Sequence, residues 1–167
     1  PYELQTFRYD TYIEGNSSTQ GDGVIGLLDE LNAYYLGSKY QYDMLPVYKE
    51  VFGSDYLDRW VMHSTSEMTA FFEFDFFIKE YLLYAKNYAP ATYNYLKNSP
   101  DFRKAYQTTH TKYRQLTNAY VAKIELEKNV AELNYDSPFW EDDYPRLKKR
   151  LDSGVYRSIE VDFLTNR

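Results

Sequence analysis

The sequence predicts an all-α helical bundle of about five or six helices, two of them long, with short extended or strand-like N- and C-terminal segments. Three observations carry that reading. Residues 69–89 contain neither Gly nor Pro and are stopped by Pro90, a run of helix length where a strand would take about five or six residues. Phe102, Tyr106, Thr109, Tyr113, Leu116 and Tyr120 recur at the alternating spacing of a helical seam. Gly and Pro mark the ends of apolar-periodic stretches, at Gly37, Pro46, Gly53, Pro90, Pro100 and Gly154. All 167 residues read as one domain: an arm and loop over 1–23, a helical body over 24–153 and a tail over 154–167.

Residues 1–14 alternate, with Phe7, Tyr9 and Thr11 set against Thr6, Arg8 and Asp10, which predicts an extended segment. GNSSTQGDG at 15–23 is a glycine-rich polar loop. Val24 to Leu36 form a first helix with Ile25, Leu28, Leu31 and Tyr35 on one face, ended by Gly37 and Ser38. Residues 39–45 are ambiguous; Pro46 suits the first turn of a short helix that closes at Gly53. Ser54 or Asp55 is placed to cap the next helix, which carries Tyr56, Leu57, Trp60 and Val61. The run Ser64, Thr65, Ser66, Glu67 has the form of a capping box, so the central helix either starts there or runs through from residue 55.

On a helical wheel, residues 71–88 of the central stretch present two apolar faces. The broad one holds Phe71, Phe74, Phe77, Ile78, Tyr81, Leu82, Tyr84, Ala85 and Tyr88. A narrow one, Phe72, Phe76 and Leu83, runs between a polar line of Glu73, Glu80 and Asn87 and a second of Asp75, Lys79 and Lys86. A surface helix has one apolar face, so this helix is expected to be central, with the narrow stripe as the candidate contact with another chain. Its charges exclude it as a membrane span. A short helical turn follows at Thr92 to Lys97, and Ser99 with Pro100 then opens a helix expected to reach about Leu133 and to outreach the central one. Asp136-Ser137-Pro138 and Asp143-Tyr144-Pro145 are further helix starts. Acidic Glu141, Asp142 and Asp143 before basic Arg146, Lys148, Lys149 and Arg150 suit a helix dipole. In the tail Ile159, Val161 and Phe163 alternate with Ser158, Glu160 and Asp162, predicting a strand or extended arm.

Composition narrows the function classes. A net charge of −6 disfavours a nucleic-acid surface, and the absence of cysteine removes disulfide and thiolate chemistry without fixing a compartment. A chain starting at Pro1 fits either a removed targeting segment or a trimmed terminus. Tyrosine, 20 residues, is the most frequent type, and an amphipathic ring in that number is expected to line core edges and contact surfaces.

Three constellations are weighed. Gly21, Gly23 and Gly26 spell G-x-G-x-x-G, but a polar loop precedes them where the dinucleotide fingerprint needs a strand, so no cofactor is expected. His63 and Glu67 lie one turn apart, and with His110 and Glu73 they are the candidate metal ligands of a helical-bundle enzyme. Neither histidine has the Glu three residues before it that di-iron bundles use. Pro1 as a catalytic base would need a β-α-β frame, which the helical periodicity of the body opposes.

The function expected is a non-catalytic interaction module or accessory subunit of a larger protein assembly. It would contact a protein partner, or a second copy of itself, through Phe72, Phe76 and Leu83 and through extended termini. The competing classes are the metal-dependent bundle enzyme and a small-ligand binder with an aromatic-lined pocket.

Overall fold

A helix of 33 residues, α3 (Tyr56–Tyr88), is the axis around which the other elements pack. The structure, a computed structural model, describes residues 6–15, 18–131 and 144–165. Around α3 lie α1 (Val24–Asp43), α2 (Leu45–Phe52), α4 (Pro90–Asn98), α5 (Pro100–Ala131), α6 (Tyr144–Leu151) and α7 (Arg157–Phe163). The all-α class predicted from periodicity is what the structure has, with two long helices of 33 and 32 residues in α3 and α5. Over the described residues α5 is one residue shorter than α3, and the expected end of α5 falls beyond them. No helix among the described residues is long and apolar enough to cross a membrane. The starts expected at Asp136-Ser137-Pro138, the acidic run Glu141, Asp142 and Asp143, and the end near Leu133 lie outside the described residues.

α1, α3 and α5 form the central trio. The Trp60 indole donates to the Gln41 carbonyl at 2.7 Å, and a Cβ on Gly23 would stand 3.1 Å from the Tyr81 hydroxyl, so α1 runs antiparallel to α3. α5 is antiparallel to α3 as well: its Tyr106 meets Asp75 and its Tyr120 meets Ser64. The seam read from α5 is the buried one, with Phe102, Tyr106, Thr109, Tyr113 and Tyr120 inside and Leu116 half-buried. Its start is also as read: the Ser99 hydroxyl accepts from the Phe102 backbone N–H at 3.3 Å.

Local signals were overridden where packing had more to offer. α3 runs unbroken from residue 56, because Ser64 and Thr65 turn their hydroxyls back to the carbonyls of Trp60 and Val61 and meet the Tyr120 hydroxyl. Asp55 precedes α3 without a side-chain cap; the Ser54 hydroxyl bonds the Asp55 carboxylate instead. α1 continues through Gly37 to Asp43, since Ser38 is buried and donates to the Tyr113 hydroxyl at 2.8 Å. On α1 it is Val24, Leu27, Leu28 and Leu31 that are buried, with Ile25 left exposed. Gly53, at φ +54°, closes α2 where only glycine adopts the backbone freely.

Both terminal segments differ from the extended form expected. Asp10–Glu14 is a π-helical turn, and just before it Phe7 is exposed and Arg8 buried, the reverse of the apolar-in alternation. The tail is helical: Ile159 and Phe163 are buried one turn apart, and Val161 between them is exposed. Ile159 and Phe163 satisfy period two and period 3.6 equally, so Val161 alone distinguished the two, and it pointed the wrong way.

Candidate functional site

The middle of the narrow stripe is buried within the chain itself. Phe76 is 3 % exposed in the main core, and Phe72 and Leu83 are half-buried against it. The polar lines that flank the stripe are the reason. From one, Glu80 accepts from Arg150 at 2.7 Å and from the Tyr156 hydroxyl. From the other, Lys79 donates to Glu160 at 2.9 Å. The stretch α6–α7 is thereby bonded on both sides of Phe76 and lies over it. Of the three stripe residues, Phe76 is thus buried within the chain, while Phe72 lines a cleft and Leu83 stays half-buried.

The metal candidates are not assembled. His63 is exposed, with its ring 6.1 Å from that of Tyr48. Glu73 is buried in an ion pair with Arg8, whose backbone N–H it also accepts at 3.1 Å. His110 faces Asp75, with Nε2 at 3.3 Å. Glu67 offers its backbone carbonyl, not its carboxylate, to the Tyr113 hydroxyl. Among the described residues no three His, Asp or Glu side chains are grouped as metal ligands. The glycine-rich stretch continues from a 3-10 turn, Ser18–Asp22, into α1, with no strand before it among the described residues.

Two features of the surface remain as candidates. The first is an apolar end. Val47, Val51 and Phe52 on α2, Met62 on α3 and Leu126 on α5 are between 42 % and 64 % exposed. They share one end of the bundle because Glu127 gathers Lys49 of α2 at 2.9 Å, Tyr56 of α3 and Lys123 of α5. Burial would raise the Glu127 carboxyl, but Lys49, Tyr56 and Lys123 together hold it down at about 2. The same contact, after burial, pushes the Tyr56 hydroxyl up to about 12.

The second is a cleft of about 420 Å³ between α3, α5, α6 and α7, whose floor is charged. Asp75, 3 % exposed, accepts from the Tyr106 hydroxyl at 2.9 Å and pairs with Lys79 Nζ at 2.9 Å and His110 Nε2 at 3.3 Å. Burial alone would raise its carboxyl; His110 and Lys79 outweigh that and hold it at about 2. Burial pushes the Tyr106 hydroxyl well up, and the Asp75 charge adds to it. Lys79 extends the chain of charges to Glu160 on α7. Arg114, Asn118 and Thr111 line the mouth from α5, and Leu151 and Leu164 from α6 and the end of α7.

No protein-family model, curated protein or solved structure matches this chain.

The sequence reading placed Asp75 and Lys79 on a polar line between apolar faces and Glu160 in the polar set of the alternating tail, and did not bring them together. The signal that pointed inward was available: Asp75 and Lys79 stand one turn apart, with phenylalanines on both sides of Asp75, where a solvated face has polar neighbours.

Proposed function

We propose that this protein is a non-catalytic interaction module, an accessory component of a larger protein assembly, and that it meets its protein partner through the α2 end of the bundle. The observation that supports this most directly is the set of exposed apolar side chains there: Val47 and Val51 one turn apart on α2, with Phe52 on the same helix, Met62 on α3 and Leu126 on α5 also exposed. Apolar residues scattered singly over a surface need no explanation, whereas a group at one end of a domain is the pattern of an interaction surface. The reading moves the contact from the Phe72, Phe76 and Leu83 stripe, whose Phe76 is buried, to side chains that the fold leaves exposed.

The test is co-purification from the native source with wild-type chain and with Val51→Lys/Met62→Lys. Both positions are exposed, so the variant keeps its melting temperature within a few degrees. Loss of the co-purifying partner is the expected outcome, since a few anchors carry most of an interface's energy. A partner retained by the folded variant, or a wild-type chain that purifies alone at native concentrations, overturns the reading.

A further inference from the structure

We propose that the cleft between α3, α5, α6 and α7 is a binding site for a small organic anion, a carboxylate or phosphate carried on an apolar body. The site is separate from the surface proposed for the protein partner and rests on different residues. Its volume, about 420 Å³, falls in the range of small-ligand sites, which run from roughly 300 to 1,000 Å³.

Charge pairing across the cleft identifies the class of ligand. Three carboxylates line it, and each has a cation: Asp75 has Lys79 and His110, Glu160 has Lys79, and Asp152 has Lys148. Arg114 is the exception. It lines the same cleft and has no carboxylate partner among the described residues. A guanidinium presents a planar fork of donors that matches a carboxylate or phosphate with two parallel hydrogen bonds. Thr111 and Asn118, on the same wall of α5, add hydrogen-bonding groups within a turn of it.

The pairing of Asp75 and Glu160 also argues against a cationic ligand, which would have to displace Lys79 from carboxylates that already hold it at 2.9 Å. Leu151 and Leu164 supply the apolar side of the cleft, so the anion is expected to carry a hydrocarbon or aromatic group. Arg114 therefore binds the charged end and the leucines hold the rest.

The test is isothermal titration of the full chain at low ionic strength with benzoate, phenyl phosphate, inorganic phosphate and benzylamine. Saturable one-site binding is expected for benzoate or phenyl phosphate. Inorganic phosphate should bind at least tenfold more weakly than phenyl phosphate, and benzylamine should give no signal. Arg114→Gln should weaken binding at least tenfold, while Lys112→Gln, an exposed position of α5 that does not line the cleft, leaves it unchanged. A second variant, Asn118→Asp, keeps Arg114 and gives it an intrahelical carboxylate one turn away; it too should weaken binding. Absence of saturable binding by both organic anions overturns the proposal. So does equal affinity in Arg114→Gln and Asn118→Asp, equal affinity for inorganic phosphate, or binding of benzylamine. None of these results bears on the α2 end.

Discussion

Asp75 shows how far a single side chain can depart from its helical-wheel position. A carboxylate buried in a helical core is costly, and it is tolerated when its partners are in place. Tyr106, Lys79 and His110 are those partners, and they come from two helices. The wheel located Asp75 correctly beside the apolar stripe; it had no means of showing that α5 and α7 would close over that side. The same limit applies to the tyrosines. Tyr106, Tyr113, Tyr120 and Tyr156 are fully buried because each hydroxyl finds a partner within the protein, at Asp75, at Ser38 and the Glu67 carbonyl, at Ser64, and at Glu80. The rings of Tyr106, Tyr113 and Tyr120 were legible as seam residues, but the hydroxyl partners depend on helices far apart in sequence. Asp75→Asn leaves Lys79 and His110 without their shared charge and should cost about 3–5 kcal/mol in urea unfolding at pH 7. Tyr106→Phe, which removes one bond to a charged group, should cost about 1.5–3 kcal/mol. The carboxyls of Asp75 and Glu127, both held at about 2, set the acid limb. Their native pKa values lie below the unfolded ones, so their contribution is present above about pH 4 and is lost as pH falls towards 2. The stability gap between wild type and Asp75→Asn should narrow over that interval; a constant gap from pH 7 to 2.5 would show that folding does not lower the Asp75 pKa.

The helices themselves were mostly legible, and so were some of their ends, but not those expected at Gly37 and Ser64. The α5 seam, the Ser99 start, the break at Pro90 and the stop at Gly53 all rest on local chemistry that no neighbour overrides. The capping box at Ser64 failed because a Ser or Thr inside a helix satisfies its hydroxyl by bonding the previous turn, which the sequence motif does not exclude. α3 also illustrates how cover decides burial. Gly23, at the start of α1, lies against Tyr81, so beyond that point α1 does not cover the broad apolar face and Tyr84 and Tyr88 are exposed. Two consequences for α3 follow. Tyr84→Ala and Tyr88→Ala, at exposed positions, should each change stability by no more than about 0.5 kcal/mol. Phe76→Ala should cost about 3–5 kcal/mol, because α6–α7 cannot collapse into the space while Arg150 and Glu160 hold it to Glu80 and Lys79. Thermal melting of the three variants decides between these and the sequence reading. If Phe76→Ala melts with the wild type, the stripe is not packed under α6–α7 and is open to another chain after all.

The molecule has two apolar clusters and one long helix pair running through both. The larger cluster joins α1, the C-terminal part of α3, α4, the start of α5, α6 and α7. The smaller, at the α2 end, contains Leu45, Leu57, Trp60, Val61, Met68, Tyr120 and Ile124. Phe72 packs against both. A division of this kind could allow the α2 end to open on its own, and a surface that works by adapting to a partner would benefit from that. Two observations argue against it. α3 and α5 cross the boundary without a break, so opening the smaller cluster would expose the backbone of both helices in mid-length. Trp60 is also fully buried and held from three sides: its ring packs on Tyr120 at 4.9 Å, Tyr42 lies at 6.2 Å, and its indole N–H donates to Gln41. The α2 end should therefore unfold with the rest, in one transition, as small domains usually do. The other tryptophan, Trp140, lies outside the described residues, and replacing it (Trp140→Phe) leaves Trp60 as a fluorescence probe of the smaller cluster. Urea titration of that variant should give the same midpoint by Trp60 fluorescence as by far-ultraviolet circular dichroism. A fluorescence midpoint reached well before the loss of helix would show that the α2 end opens first, and would make the proposed partner surface one that reorganises on binding.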